Sequence, residues 1–318
     1  MWKAAFSLLS PAGRGAKLNT LMFHRVLPAP DPLFPGEMHA IQFDAVCGWL
    51  QRWFNVLPLD QAVRRLANGS LPARAAAITF DDGYADNHDI ALPILQRHGL
   101  KATFFVATGF LNGGRMWNDT LIEAVRRSPR ETLDLTGTPL SELGCLPLQT
   151  TMQRQHAIGR IIGAAKYLAQ PERDQCVADV ARCAAATLPD DLMMTDHQVR
   201  MLRRTGMLVG AHTVSHPILA RLDRDRIRDE IGRSRDTLQF LLDEPVGLFA
   251  YPNGKPDQDY LADAVEVVRN FGFDAAVSTK WGAACQSSDL FQLPRFTPWD
   301  RGRFGFGSRL AQNLLRRA

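Results

Sequence analysis

An α/β fold with parallel strands is what this chain predicts, on three observations. Short apolar, β-rich runs alternate with longer stretches of helical period. Polar clusters rich in Asp and His follow several of those runs directly. The 318 residues, 46% hydrophobic and 22% charged, suffice for one large domain or two small ones with a sizeable core. Alternation of this kind leaves a barrel or a doubly wound sheet open. It excludes a collagen-like repeat, a coiled-coil rod and a disordered tail, and no apolar run approaches the ~20 residues that a membrane-spanning helix needs.

Leu18 to Val26 reads as the first strand, and Phe43 to Trp53 as a helix with Val46, Trp49, Leu50 and Trp53 on one face. Ala75 to Phe80 is an unbroken apolar run, hence a buried strand, ending at the polar turn Asp81-Asp82-Gly83. A helix follows to His98, with Gly99 as its stop and Pro93 as an expected kink; Lys101 to Ala107 is the next buried strand. From about 111 to 194 the rhythm breaks. Loop signals (Gly113-Gly114, Gly137, Pro139, Pro147) precede helical patterns over Thr151–Ala169 and Pro171–Ala186, which predicts an inserted helical subdomain.

After the insertion, Thr195-Asp196-His197-Gln198 has capping-box spacing and opens a helix closed by Gly206. Met207 to Ala211 is a strand, and Asp223 caps a helix carrying Ile227, Ile231, Leu238 and Leu241. Val246–Tyr251 is a strand, Asp257–Phe271 a helix stopped by Gly272, Phe273–Ser278 a strand, and Phe291–Phe296 a short last strand. One domain over 18–300, interrupted at 111–194, is therefore expected. Residues 301–318 form a basic C-terminal helix or tail.

The net charge of +4 comes from arginine spread along the chain, apart from that tail, which carries five arginines and no acid. Leu310, Leu314 and Leu315 share a helical face there, so a solvated terminal helix is expected, with weak contact to a membrane surface or to phosphate as the alternative. The modest charge and the lack of an aromatic-interleaved basic stripe disfavour nucleic-acid binding. Five scattered cysteines without a CxxC pair predict reduced thiols rather than disulfides or a cysteine–zinc site. The start, Met1-Trp2-Lys3 and a short apolar patch to Leu9, is too short for a signal-peptide core. A cytoplasmic location is thus favoured, with a periplasmic or secreted one left open.

Reactive groups of parallel α/β folds gather where strands end. Three polar clusters sit at such places: His24-Arg25, Asp81-Asp82 and His212-Thr213-Val214-Ser215-His216. Adjacent carboxylates at a strand end need a cation to neutralise them. Their side chains diverge, so one can hold the cation while the other faces a water. Two imidazoles four residues apart converge if the loop turns helically, and neutral imidazole suits zinc and its first-row neighbours. Asp82, His212 and His216 then make a two-histidine, one-carboxylate site suited to hydrolysis by metal-activated water. Ser215 lacks a nucleophile-elbow context, and His39, His88, His98, His156 and His197 have no partner spacing.

Thr79-Phe80-Asp81-Asp82-Gly83-Tyr84 with His212-Thr213-Val214-Ser215-His216 closely resembles the first two motifs of the polysaccharide deacetylases, the NodB-homology or carbohydrate esterase family 4 domain. Phe249-Ala250-Tyr251-Pro252-Asn253-Gly254 is similar to the third motif. The resemblance runs from Leu18 to Arg295 and implies a distorted (β/α) barrel of about seven strands. It also implies removal of N-acetyl groups from amino sugars of a polysaccharide, oligosaccharide or glycolipid. By the same resemblance Asp81 is the general base, Asp82 a metal ligand beside His212 and His216, Tyr251 the place of a backbone oxyanion donor, and Tyr84 a wall of the acetyl pocket. The ion would be zinc, with cobalt, manganese or iron as other occupants.

The chain departs from the family pattern twice. The arginine that usually opens the third motif is absent, with Phe249 or a neighbour in its place, and no histidine follows His216 to act as the late general acid. Leu21-Met22-Phe23-His24-Arg25-Val26 resembles a first-strand segment of the poly-N-acetylglucosamine deacetylases, which assigns the acid role to His24. Arg295, in Leu293-Pro294-Arg295-Phe296 at another strand end, is the candidate for the missing arginine. Trp117, where the insertion opens, is either a core tryptophan or a platform for stacking a sugar ring. Two other readings keep the scaffold: a hydrolase of another amide or a cyclic imide, and a non-catalytic carbohydrate-binding module.

Overall fold

In the computed structural model, which describes residues 2–166, 168–297 and 300–316, the expected alternation folds into a seven-stranded sheet whose named strands all pair in parallel. The chain divides into two compact units, Met1–Ala29 with Met38–Asn112 and Met193–Ala318, and Pro30–Glu37 with Gly113–Leu192.

In the first unit the elements run α1 (Trp2–Leu9), β1 (Leu18–Phe23), α2 (Ala40–Trp53), β2 (Asn55–Val56), α3 (Leu59–Ala67), β3 (Ala75–Phe80), α4 (Leu92–Arg97) and β4 (Thr103–Val106). After the second unit come α8 (Asp196–Arg204), β7 (Leu208–Ala211), α9 (Arg224–Leu242), β8 (Leu248–Ala250), α10 (Ala262–Asn270), β9 (Ala275–Val277) and α11 (Arg303–Leu315). The strand order is β1-β3-β4-β7-β8-β9, with β2 beside the first residues of β3. The last strand expected from the sequence forms only as single bridges, Leu293 with Val277 and Phe296 with Leu21. That is enough to join the two edge strands, and the sheet curls into a distorted (β/α) barrel. β3 is buried along its whole length. Ala75 and Ala77 enter one apolar cluster and Ala76, Ile78 and Phe80 another, as alternation in a strand covered on both faces requires.

The capping residues act as expected. Thr195 and Gln198 complete a capping box at α8, and Asp223 accepts from the Arg226 amide at α9. Two helices start later than the pattern indicates. Pro93 falls in the first turn of α4, and the chain before it makes one π-helical turn over Asn87–Ala91 that runs on into α4 through the helical Ala91. α10 begins five residues after Asp257, which takes φ 61° in a turn bridged from Pro256 to Tyr260.

α1 and α11 lie at the N-terminal ends of the strands. Arg74, just before β3, donates to Ser10 O at 2.9 Å, and Asn313 Nδ2 donates to Asn19 Oδ1 at 2.7 Å. The expected solvated terminal helix is instead packed. Leu310 and Leu314 are buried and only Leu315 faces outward; Arg317 and Ala318 lie outside the described residues.

The second unit is built from α5 (Trp117–Arg127), the antiparallel hairpin β5 (Thr132–Asp134) with β6 (Cys145–Pro147), α6 (Thr151–Ala165) and α7 (Gln170–Ala184). α6 and α7 are the two expected helices, shortened; Tyr167, inside the first expected range, is outside the described residues. The core of this unit includes Leu121, Val125, Leu133, Leu146, Ile158, Ile161 and Val180. Arg126 fastens Pro30–Glu37 to the unit by a two-pronged pair with Asp31 at 3.0 and 2.6 Å. Trp117 packs against this core, with the Arg173 guanidinium carbon 5.2 Å from its ring centre.

Candidate active site

Asp82 leaves the end of β3 in a left-handed conformation, φ 76°, and Gly83 continues it at φ 91°. A Cβ at Gly83 would lie 3.1 Å from Val106 Cγ1, so the turn is closed to larger residues on two counts. Beyond β7, Thr213 and His216 are also left-handed, at φ 64° and 53°. Non-glycine residues held there cost roughly 1–3 kcal/mol each and persist only where the surroundings enforce them. The enforcement is visible at the end of β4: Ala107 donates to Asp82 O at 3.2 Å, Thr108 to Thr213 O at 3.1 Å and Gly109 to Val214 O at 2.9 Å. One strand end laces both loops together.

The lacing brings Asp82, His212 and His216 to one point. Asp82 Oδ1 lies 3.4 Å from Nε2 of each imidazole. Two ligand atoms bound tetrahedrally at about 2.0–2.1 Å sit roughly 3.3 Å apart, so both separations match edges of a zinc-like tetrahedron. Asp82 Oδ1 is buried and has no hydrogen-bond partner, a position that a cation would satisfy. His212 Nδ1 is 2.7 Å from Ala250 O; as the donor there, it leaves the Nε2 lone pair facing Asp82. The three residues therefore fit a divalent ion.

Burial pushes the Asp82 carboxyl up, but the facing His212 and His216 nitrogens outweigh it and hold the group well below the carboxylate range. Burial disfavours a cation on His212, yet its contact with Asp82 lifts it above the ordinary imidazole value. His216 goes the other way: burial takes it down to about 4, against the pull of Asp82.

Asp81 faces a different partner. Arg295 Nη1 and Nη2 donate to its two oxygens, each at 2.7 Å, while Nε donates to Ser278 O at 2.9 Å and Nη1 also reaches Thr79 Oγ1 at 3.2 Å. Arg295 is wholly buried. Burial pushes the Asp81 carboxyl up; the guanidinium, then His212, more than offset this and keep it ionised below the usual range. The segment that joins β9 to β1 thus carries the cation for the carboxylate of β3.

His24 follows β1 directly and is exposed, not a core histidine. The carbonyl before it, Phe23 O, accepts from the Asp81 amide at 3.0 Å, so His24 emerges beside the carboxylates, and its charge is felt by both. Asn87 Nδ2 donates to His24 O at 2.8 Å, and Asp86 accepts from Arg25 Nε at 2.8 Å and the Val26 amide at 3.1 Å, pinning the segment. Tyr84 is buried, with the Arg25 guanidinium carbon 4.7 Å from its ring centre.

Tyr251 departs from expectation. Its amide donates to Val277 O at 3.2 Å, its hydroxyl donates to Phe291 O at 3.0 Å, and its ring stacks on Tyr260. The donor expected to face an oxyanion is spent on continuing the β8–β9 pairing. Trp117 is a partly buried residue of the second unit, packed against that unit's own core.

Sequence reasoning missed Glu230. From α9 it accepts from the Val214 and Ser215 amides at 2.9 and 2.8 Å and from Ser215 Oγ at 2.7 Å, holding the loop between the two histidines. On the sequence it is one more acid in a charged helix, and only its place next to Ile231 on the partly buried side hints at more.

A family model described as polysaccharide deacetylase matches residues 68–132 and 156–276, more than half of the chain. YxkH of Bacillus subtilis (strain 168) is 21% identical over 282 residues, covering 88% of this chain and 71% of that protein. The Streptococcus pyogenes deacetylase PplD, solved in complex with acetate, superposes with a TM-score of 0.62 at 20% identity, covering 94% of this chain and 98% of that one. IcaB from Ammonifex degensii superposes at 0.60 and 17%, covering 96% and 99%.

Proposed function

Since the chain belongs to the polysaccharide deacetylase family, hydrolases that remove N-acetyl groups, we propose that it is a metal-dependent deacetylase of N-acetylated amino sugars in a glycan or glycolipid. The observation that carries this is the pairing of two adjacent carboxylates with different partners: Asp82 with two imidazoles, Asp81 with a buried guanidinium. A divalent ion held by Asp82, His212 and His216 would polarise the acetamide carbonyl and acidify the attacking water. Asp81, kept ionised and oriented by Arg295, takes the proton of that water. His24, protonated, gives a proton to the departing sugar nitrogen, which releases acetate and a free amine. Such acid assistance is typically worth ~10²–10⁴-fold. The resemblance of Leu21 to Val26 to the poly-N-acetylglucosamine deacetylases favours an N-acetylglucosamine polymer as the substrate class, and Tyr84, beside Arg25, would line the acetyl side.

Elemental analysis of the purified protein, joined to an acetate-release assay on a panel of N-acetylglucosamine oligomers, tests the reading. Asp82→Ala should lose the metal and the activity, while Asp81→Ala should keep the metal and lose the activity. His24→Ala retaining the full rate would remove its acid role. A protein that binds the oligomers, with metal present, yet releases no acetate would overturn the proposal.

A further inference from the structure

The end of the barrel opposite the carboxylates is closed by α1 and α11, and the surface these helices turn outward is apolar and cationic. α1 has only Lys3 and Ser7 as polar residues among its eight, so it lacks a polar face. Phe6 is buried beneath it, while Leu8 is 84% exposed. α11 packs against α1 at Gly307, where a Cβ would fall 2.4 Å from Trp2 Cε2. Along its outer side Phe304 is 67% and Leu315 64% exposed, with Gln312 the exposed polar residue between them. Under them lies an aromatic bed: Trp2 is 5.5 Å from Phe304, 6.2 Å from Trp53 and 5.6 Å from Phe6 between ring centres. Lys3, Arg301, Arg303 and Arg316 are exposed around it. The acid of 300–316, Asp300, is paired with Arg309.

Single exposed apolar side chains need no explanation. An almost wholly apolar helix over a tryptophan bed, rimmed by cations, does. The cores of protein–protein interfaces are depleted of charge. The combination found here suits the boundary of an anionic bilayer, where indole rings settle at headgroup level, Leu and Phe enter the acyl edge, and Lys and Arg meet acidic headgroups. We propose that the α1–α11 end of this protein docks on a membrane surface bearing anionic phospholipid. β3 spans the barrel from Arg74, next to Ser10, to Asp81, about 20 Å at the usual rise per residue. Docking therefore turns the candidate active site away from the bilayer surface on which the chain sits. This inference does not rest on the deacetylase reading.

Flotation of the full chain with vesicles made of equal phosphatidylcholine and phosphatidylglycerol, against phosphatidylcholine alone, tests it. The chain should float with the anionic vesicles and be released by salt, since each basic side chain near the surface contributes about fivefold to binding. Leu8→Asp with Phe304→Asp should cut binding by about tenfold or more. Arg301→Glu with Arg303→Glu should do the same on exposed positions, and it decides the matter if the first pair disturbs folding. Phe240→Asp, on α9 and 90% exposed, should change nothing. Equal binding to both vesicle types, equal loss in Phe240→Asp, or α1–α11 variants that dissociate a dimer while vesicle binding stays the same would each overturn it.

Discussion

Replacing Arg295 with methionine tests the electrostatic logic of the site. The substitution removes both 2.7 Å bonds to Asp81 and strips Ser278 O and Thr79 Oγ1 of a donor, among residues that are themselves buried. Breaking a buried pair from one side typically costs about 3–5 kcal/mol, because the remaining charge is stranded. The upper part of that range is expected, since four hydrogen bonds go with it. Urea unfolding of the metal-free protein measures the loss. Wild-type Asp81 has a folded pKa below its unfolded value, so its contribution is fully present above that unfolded value, near 4, and fades as pH falls through the folded one. In Arg295→Met burial is opposed only by the charges of His212 and His24, so the folded value is expected to move above the unfolded one, and stability is then lost as pH rises between them. The gap between the two proteins should therefore widen from about pH 4 to neutrality. Adding Asp81→Asn should recover much of the loss, with a coupling of up to about 3 kcal/mol. Arg295→Lys should not rescue, because one ammonium cannot serve both carboxylate oxygens and Ser278 O with the same fork. A loss under about 1 kcal/mol, or a gap independent of pH, would refute the reasoning.

Three further outcomes follow from contacts around the site. Glu230→Ala leaves the Val214 and Ser215 amides without their acceptor and should weaken metal binding about 10–100-fold, read by competition with a chelating dye. Gly109→Ala puts a methyl 2.7 Å from Val214 O, so the histidine loop must shift; a destabilisation of about 1–3 kcal/mol with weaker metal binding is expected in thermal melts and the same dye assay. Among the thiols, Cys285 is lowered by hydrogen bonds from Ser287 and Ser288, whereas the Asp134 charge raises exposed Cys145 and burial raises Cys47 far more. Timed alkylation followed by peptide mass spectrometry should label Cys285 before Cys145, with Cys47 unlabelled in the folded chain.

What the sequence displayed was mostly what local chemistry writes down. The apolar run of β3, the caps at Thr195 and Asp223, and the polar residues just past strand ends are each set by neighbours a few positions away. α3 is also legible there, with Leu59, Ala62, Val63 and Leu66 at helical spacing on a short segment. Other features depend on distant partners and leave no local trace. Pro30–Glu37 joins the second unit because Asp31 meets Arg126, ninety-five positions away. Glu230 matters because of amides fifteen and sixteen residues earlier. Tyr251 sits in a motif that points to an oxyanion, yet its amide is claimed by sheet pairing with Val277, which only the fold decides.

The arginine's displacement explains how two carboxylates can share one strand end. Asp81 follows β3, which lies beside β1, and the segment after β9 meets β1 at Phe296, so Arg295 reaches the carboxylate past the end of a single strand. Its charge cancels that of Asp81 permanently. Asp82 has no fixed cation, only two imidazoles, of which His212 is raised and His216 is held down to about 4. A divalent ion needs the Nε2 lone pair of both imidazoles, which an added proton would occupy, so binding weakens as the solution becomes more acidic. The fixed cation keeps one carboxylate ionised, as the proposed base role requires, and the other carboxylate would be left for an exchangeable cation. Had Arg295 instead paired with Asp82, the oxygen now lacking a donor would be satisfied, and the ion would have no carboxylate to bind.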